Sequence, residues 1–356
     1  MRFSAFPFTD DRATAPTGFR PGLAGKVQRA VAAASDVEPT PYEIVYTENK
    51  TTLRQYRPET DEIQPVPIVI SYAFIHTPAI LDLEREHSVV GQFLERGFEV
   101  FLVDWGYPSR LDRALGLQDY VTRYLHNCVG VAMEVAETDK VHLLGYSTGA
   151  PVAVMYASLY NERIQTLVLQ GPPVDFHVDG GILDFREFHG AVDPAVVTDA
   201  LGNVPAWLVD AGFSVRKPVD FTIGTAIRTR ELLNDDAAVQ TAARKGRWLA
   251  SGPDMPAALF RDFVERLLVE NQLIANELEI GGRTVDLGAI KSPILLVLGT
   301  EDQYVPAESA LPLLDAVASQ DTAVVEFPTG HVGLSIADDA HLEGWPRVCD
   351  WLEEHS

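Results

Sequence analysis

The sequence predicts an α/β fold: a mostly parallel central sheet with helices on both faces and a mainly helical cap insertion. Three observations predict it. Continuous apolar runs at 67–72, 99–104, 140–144, 165–169 and 293–298 alternate with stretches of helical spacing, as buried parallel strands alternate with crossover helices. The alternation stops after Gly171-Pro172-Pro173 and resumes only in the last quarter of the chain. Within the first block, Gly145-Tyr146-Ser147-Thr148-Gly149 stands where an apolar run meets a helical pattern. A serine at a sharp strand–turn–helix junction needs small neighbours two residues either side, because strand and helix converge there.

The elements follow in order. Residues 1–38 form an N-terminal extension with a short helical pattern over 25–35. Segments 43–46 and 53–56 alternate in polarity across Glu48-Asn49-Lys50, which predicts an antiparallel hairpin. The first part of the α/β core spans 39–173. It holds strands at 67–72, 99–104, 140–144 and 165–169, with helices at 83–96, 117–135 and 151–160. Pro151 is compatible with the last of these because the first helical turn needs no amide donor from it. The insertion, 174–280, carries helical patterns and aromatics (Phe185, Phe188, Trp207, Trp248, Phe260, Phe263) that are expected to pack as core. The second part of the core, 281–356, contributes strands at 293–298 and 323–327 and helices at 307–317 and 341–353.

Composition sets the boundaries of function. The 356 residues carry a net charge of −23, with acidic residues spread along the whole chain. A distributed excess predicts a solvated acidic surface, excludes nucleic acid as a natural partner and suits a salt-rich cytoplasm in which screening relieves self-repulsion. Stability is therefore expected to rise from low to molar KCl; greatest stability at low salt would overturn this. Two cysteines, Cys128 and Cys349, are too few for a disulfide framework or metal site, and Cys128 reads as a small buried hydrophobe. No signal-peptide core and no run long enough for a membrane span occur, which predicts a cytoplasmic protein. There is no metal-ligand spacing, phosphate-cradling glycine loop or dinucleotide fingerprint, so no cofactor is expected.

A serine hydroxyl needs a base near neutral pH, and the base needs an orienting carboxylate. In this topology they follow in the order nucleophile, acid, histidine. Ser147 is the nucleophile. Asp302 lies in the loop after the 293–298 strand, with Glu301 as its rival; the spacing to Val305-Pro306 favours Asp302. His331 lies on a glycine-flanked loop after the 323–327 strand. The remaining histidines read as surface or core residues, apart from His76. The oxyanion hole is expected from backbone amides of Thr148 and of Phe74 or Ile75, in the turn after the first buried strand. His76, beside that turn, is a candidate substrate contact.

Wider strings narrow the family. They are Tyr72-Ala73-Phe74-Ile75 with Pro78-Ala79-Ile80-Leu81-Asp82-Leu83, and Asp104-Trp105-Gly106-Tyr107-Pro108 with Asp112-Arg113-Ala114 and Asp119-Tyr120. Later come Asn271-x-Leu273, Gly281-Gly282-Arg283-x-Val285-Asp286-Leu287 and Gly330-His331-Val332-Gly333. Together, over about residues 67–351, the chain resembles the catalytic subunit of the class III polyhydroxyalkanoate (PHA) synthases, which have the α/β-hydrolase fold. The resemblance implies a 3-hydroxyacyl-CoA substrate, a covalent acyl-enzyme at Ser147, activation by His331 with support from Asp302, and no cofactor. It also implies a second synthase subunit, attachment to the PHA granule and a homo-oligomer. The chain departs from the family at one decisive position: the synthases place cysteine where it has Ser147. Three functions follow. The first is a synthase-like acyltransferase, supported by the strings. The second is a serine esterase, thioesterase or depolymerase, supported by the serine. The third is a non-catalytic synthase partner or granule-associated protein, which the ordered Ser147, Asp302 and His331 argue against.

Overall fold

The computed structural model describes residues 40–58, 60–179, 193–216 and 236–356; the expected helix at 25–35, Phe185, Phe188 and His189 lie outside them. An eight-stranded sheet runs in the order β1-β2-β6-β3-β7-β8-β11-β12. Its strands are β1 (Glu43–Glu48), β2 (Thr51–Tyr56), β3 (Ile68–Ser71), β6 (Val100–Asp104), β7 (Val141–Tyr146), β8 (Ile164–Gln170), β11 (Ile294–Gly299) and β12 (Thr322–Phe327). From β6 to β12 every pairing is parallel, and the expected hairpin β1–β2 closes one edge by pairing antiparallel to β6.

The apolar runs become central strands because both their faces are covered. In β11, Ile294, Leu296 and Leu298 enter one core while Leu295 and Val297 enter the other. β3 divides in the same way, with Val69 on one side and Ile68 and Ile70 on the other. The chain leaves β3 towards β6 and returns across it to β7. The strand order therefore reverses beside β3, the kind of place where open α/β sheets bind ligands.

The helix expected over 83–96 starts later. Asp82–Glu84 (β4) and His87–Ser88 (β5) pair as a short hairpin, and α1 is Val89–Glu95. The buried carboxylate of Asp82 accepts from the Ser88 hydroxyl at 2.7 Å and from the Thr40 amide at 2.9 Å. Ser88 in turn accepts from Gly91 N and caps the helix. The long helix α2 runs through Leu117–Asp119, a π-helical turn Tyr120–Leu125 and His126–Val135. After β7 comes α3, Gly149–Leu159, wholly buried.

Between β8 and β11 the chain forms α4 (Pro194–Leu201), α5 (Ala206–Arg216), α6 (Asp236–Leu249) and α7 (Ala257–Asp262), then a π-helical stretch Phe263–Val269; this is the segment expected as an insertion. A two-stranded ribbon follows, β9 (Glu279–Ile280) with β10 (Arg283–Thr284). The helix expected over 307–317 divides into α8 (Ala307–Ala310) and α9 (Pro312–Ala316), because Pro312 has no amide hydrogen to continue the ladder. α10 (Gly333–Ile336) and α11 (Trp345–Glu354) close the chain against the α1 side of the sheet.

Candidate active site

Ser147 sits at the apex of the turn between β7 and α3 with φ +51°, a left-handed conformation rare for a serine. The surroundings hold it there. Its amide donates to the Gln170 carbonyl on β8 at 2.9 Å, and its carbonyl accepts from Ala150 N at 2.9 Å. The flanking glycines are needed for close approach. A Cβ at Gly149 would overlap the Ser71 and Tyr72 carbonyls, and one at Gly145 would stand 2.6 Å from Ala150 Cα.

Three strands bring the polar side chains to one end of the sheet. Asp302 follows β11; its Oδ1 accepts from the amides of Tyr304 and Val305, both at 2.9 Å, which fixes the carboxylate plane. Its other oxygen, Oδ2, stands 2.6 Å from His331 Nδ1. His331, in the loop after β12, places Nε2 2.8 Å from Ser147 Oγ. Asp302 thus meets the imidazole, while the neighbouring Glu301 side chain is exposed. His331 is only 8 % exposed, its ring lies between Tyr146 and Tyr304, and a Cβ at Gly171 would come within 2.9 Å of its Cε1. Hydroxyl, imidazole and buried carboxylate in this order can pass a proton from Ser147 to His331 while Asp302 holds the imidazole tautomer.

The turn after β3 forms the opposite wall. Trp105 Nε1 donates to the Tyr72 carbonyl at 2.7 Å and pins this turn beside the elbow. The Phe74 side chain leaves the site and packs edge-on against Tyr120 and Phe263. Ile75 and Ala73 border the cavity instead. Thr148 occupies the N-cap position of α3, where amides have no helical acceptor and the helix dipole favours negative charge.

These walls enclose a largely apolar cavity of about 170 Å³ lined by Ser147, His331, Thr148, His76, Tyr72 and Ile75, with Asp210, Trp248 and Leu249 from the inserted segment. The His76 ring lies 4.5 Å from that of Trp248, whose indole N–H donates to the Thr77 carbonyl at 2.8 Å. Burial pushes the His76 imidazole down to about 4 and the Asp210 carboxyl up to about 6. Sequence reasoning missed Asp210. Its signal is a single carboxylate inside Ala206-Trp207-Leu208-Val209-Asp210-Ala211-Gly212-Phe213, an otherwise uncharged stretch of helix. Of the aromatics expected in the core, Phe263 is buried there, Trp248 lines the cavity and Trp207 is 67 % exposed.

The other described histidines have structural surroundings. His142 is bonded to Thr166 and Ser356, His177 to the Val269 carbonyl, and His87 lies between Glu84 and Asp338. Cys128 is buried, and burial pushes its thiol well up. No cluster that could hold a metal occurs among the described residues, and none of their helices is long and apolar enough to cross a membrane.

The distinctive strings serve as braces around the site. Asp104 pairs with Arg54 and accepts from Gly106 N, and Gly106 (φ +70°) passes against the Lys50 carbonyl. Asn271 holds the exit of β8, donating to Asp175 at 2.8 Å and accepting from Phe176 N at 3.0 Å. The ribbon around Gly281-Gly282 delivers Arg283 to the Leu159 carbonyl at the end of α3, while the Asp286 carbonyl accepts from Ser158.

Comparison with known proteins agrees with this architecture. The alpha/beta hydrolase fold family matches residues 67–337. A monoacylglycerol lipase from Paleococcus ferrophilus superposes with a TM-score of 0.52 at 15% identity, covering 86% of this chain and 100% of that one, which speaks to the fold alone. The poly(3-hydroxyalkanoate) polymerase subunit PhaC of Haloferax mediterranei is 41% identical over 89% of this chain, and the chain spans 64% of its length. The PhaC subunit of Haloarcula marismortui is 40% identical over 90% of this chain and 69% of its own. That of Allochromatium vinosum is 34% identical over 91% of both. The chain therefore belongs to the α/β-hydrolase fold family and, within it, to the PhaC family of poly(3-hydroxyalkanoate) polymerase subunits.

Proposed function

We propose that the chain is an acyltransferase of polyhydroxyalkanoate synthesis, moving 3-hydroxyacyl groups from CoA through an acyl-enzyme on Ser147. The observation that carries this reading is the unbroken relay from Ser147 Oγ through His331 to Asp302, in a chain of the PhaC family. His331 Nε2 takes the Ser147 proton as Oγ attacks the thioester carbonyl. The oxyanion forms against the amide of Thr148 and one from Phe74 or Ile75. Collapse breaks the C–S bond, and the departing CoA sulfur takes the proton from His331. In the second half, an acceptor hydroxyl gives its proton to His331, attacks the Ser147 ester and leaves with the acyl group as the proton returns to Ser147.

The cavity beside Ser147 has room for a short acyl group, since an apolar cavity of about 150 Å³ accommodates a ligand the size of benzene. α5 and α6, which line the cavity through Asp210, Trp248 and Leu249, act as a cap that keeps water from the ester. A second subunit, the granule surface, self-association and a salt-rich cytoplasm complete the setting.

Serine changes the energetics. A cysteine-bound acyl group stays a thioester and transfers downhill to an alcohol. A serine-bound one is an oxyester, and its transfer to another alcohol is nearly thermoneutral. CoA thioester to polymer ester remains downhill overall, but water becomes a stronger competitor. Ser147 itself therefore favours a second reading, a serine hydrolase on the same scaffold. Incubation with 3-hydroxybutyryl-CoA in high salt, with and without a partner subunit, separates the two. Release of CoA with oligomer or polymer, abolished in Ser147→Ala, is expected. Free acid alone selects the hydrolase, and no CoA release in either condition overturns the transferase. Ser147→Cys should keep or raise polymer yield; increased hydrolysis alone would contradict a synthase pocket.

A further inference from the structure

Tyr146, the residue before the nucleophile, has a side chain that the proton relay does not use. It is the last residue of β7 and shares a face of the sheet with Leu144. Phe327 and Leu334, on either side of His331 in the chain, pack on that same face. The alternation of side chains along β7 therefore puts Tyr146 on the side from which the base approaches. Its ring lies nearly parallel to the imidazole of His331, with 25° between the planes and 5.7 Å between centroids. Tyr72 stacks on Tyr146 at 5.3 Å and 23°, whereas Tyr304 meets His331 at a steeper 35° and 5.9 Å.

The far end of the ring is held as well. Tyr146 is buried, and its phenol meets the hydroxyl of Ser335 on α10, a helix that begins two residues after His331. Ser335 Oγ accepts from Gln170 Nε2 at 2.8 Å, and the Gln170 carbonyl accepts from Ser147 N. The phenol thus belongs to one network with the supports of both nucleophile and base. Burial pushes its pKa well up, so the ring stays neutral and keeps an electron-rich face.

When Ser147 Oγ passes its proton to Nε2, the imidazole becomes a buried cation with Asp302 at its edge. A cation within about 6 Å of an aromatic face is attracted by the ring quadrupole, more strongly where water is excluded. We propose that Tyr146 is a positioning residue for the relay: its ring fixes the plane of His331 and stabilises the imidazolium that forms as Ser147 is acylated. A serine hydroxyl has no appreciable anion population, so whatever stabilises that imidazolium lowers the acylation barrier directly. This role rests on the acylation of Ser147 proposed above and is independent of the acyl donor.

The test compares wild type, Tyr146→Phe and Tyr146→Leu in kcat and KM for 3-hydroxybutyryl-CoA and its 4-nitrophenyl ester counterpart. The rate at which a fluorophosphonate labels Ser147 is measured beside them, and its amplitude counts the competent sites, so loss of folded protein is separated from loss of rate. Phenylalanine keeps the ring face and should stay within about three-fold of wild type. Leucine removes it and should lower kcat about ten-fold at nearly constant KM, with labelling slowed to a similar extent. If the leucine variant does not fold, Tyr146→Met, similar in volume but without a ring, takes its place. Leucine at wild-type rates, phenylalanine as slow as leucine, or a loss confined to KM overturns the proposal. An inert thioester, with labelling that still follows the ring, would instead refute the CoA reading and leave Tyr146 in its role.

Discussion

Two histidine–aspartate pairs face one cavity, and they differ in nearly every physical respect. His331 and Asp302 lie 2.6 Å apart, both buried, on loops that follow neighbouring parallel strands. His76 and Asp210 stand 3.7 Å apart, with the Asp210 side chain 36 % exposed, and they bridge the sheet and the inserted segment. In the first pair each nitrogen has an assigned partner and Asp302 is locked by two amides. In the second, one nitrogen is orphaned and the other meets its carboxylate only across a gap. Contact of the first kind suits moving a proton along a fixed line. Separation of the second kind is a looser ion-pair contact at the cavity wall.

The sharpest way to break this comparison is to remove the base. His331→Ala should lower kcat by about a thousand- to a million-fold, and Asp302→Asn by about ten-thousand-fold, measured as leaving-group release from acyl ester. A residual rate near wild type in either variant would remove the relay from the mechanism. Substitution in the second pair should have a smaller effect. His76→Phe, which changes the cavity wall and leaves the relay intact, is expected to cost about ten-fold in kcat/KM. If it cost more than Asp302→Asn, the roles assigned to the pairs would be reversed.

A third substitution examines the frame on which both pairs depend. Asn271→Ala leaves the Phe176 amide and the Asp175 carboxylate without the partner that fixes the exit of β8. It should lower unfolding free energy by about 1–3 kcal/mol in urea titrations. An unchanged midpoint would make this string dispensable to the fold.

The smallest expected effect is on pH dependence. The Asp210 carboxyl moves from 3.8 to about 6 on folding. Between those values the unfolded chain has lost a proton that the folded one keeps, so rising pH lowers stability. His76 moves from 6.5 to about 4, so over nearly the same window the folded chain lacks a proton that the unfolded one holds, and rising pH adds stability. The two slopes oppose one another. Asp210→Asn removes the falling one, and unfolding free energy should then climb more steeply between about pH 4 and 6.5 than in the wild type. An identical slope would mean that the carboxyl is not desolvated.

The relay was legible in the sequence because each member is written locally. A glycine-flanked serine marks the elbow, and short polar loops after apolar runs mark Asp302 and His331, which the structure brings into hydrogen-bond contact. Central strands were legible for a related reason: burial on both faces leaves little but apolar residues. The helix over 83–96 was misplaced because Asp82 and Ser88 hydrogen-bond across the β4–β5 hairpin and move the helix start to Val89. Asp210 stayed hidden because its meaning depends on His76, 134 residues away by numbering and brought near only by the docking of α5. The glycine–arginine string could be recognised as distinctive, but its job, seating Arg283 on the end of α3, is a tertiary contact.

The strand order has a consequence for how the protein acquires its chemistry. Ser147 is set by a local turn, yet its partner His331 lies 184 residues along the chain and reaches it only when β8, β11 and β12 have zipped side by side. Contacts of such long sequence separation form slowly, because much loop entropy must be lost before they return any stability. A chain folded only as far as β8 would present Ser147 without His331 beside it, and the proposed acylation through that pair could not begin. Appearance of acylation activity during refolding should therefore lag behind helix formation, and it would serve as a clock for the closing of the sheet's last two strands.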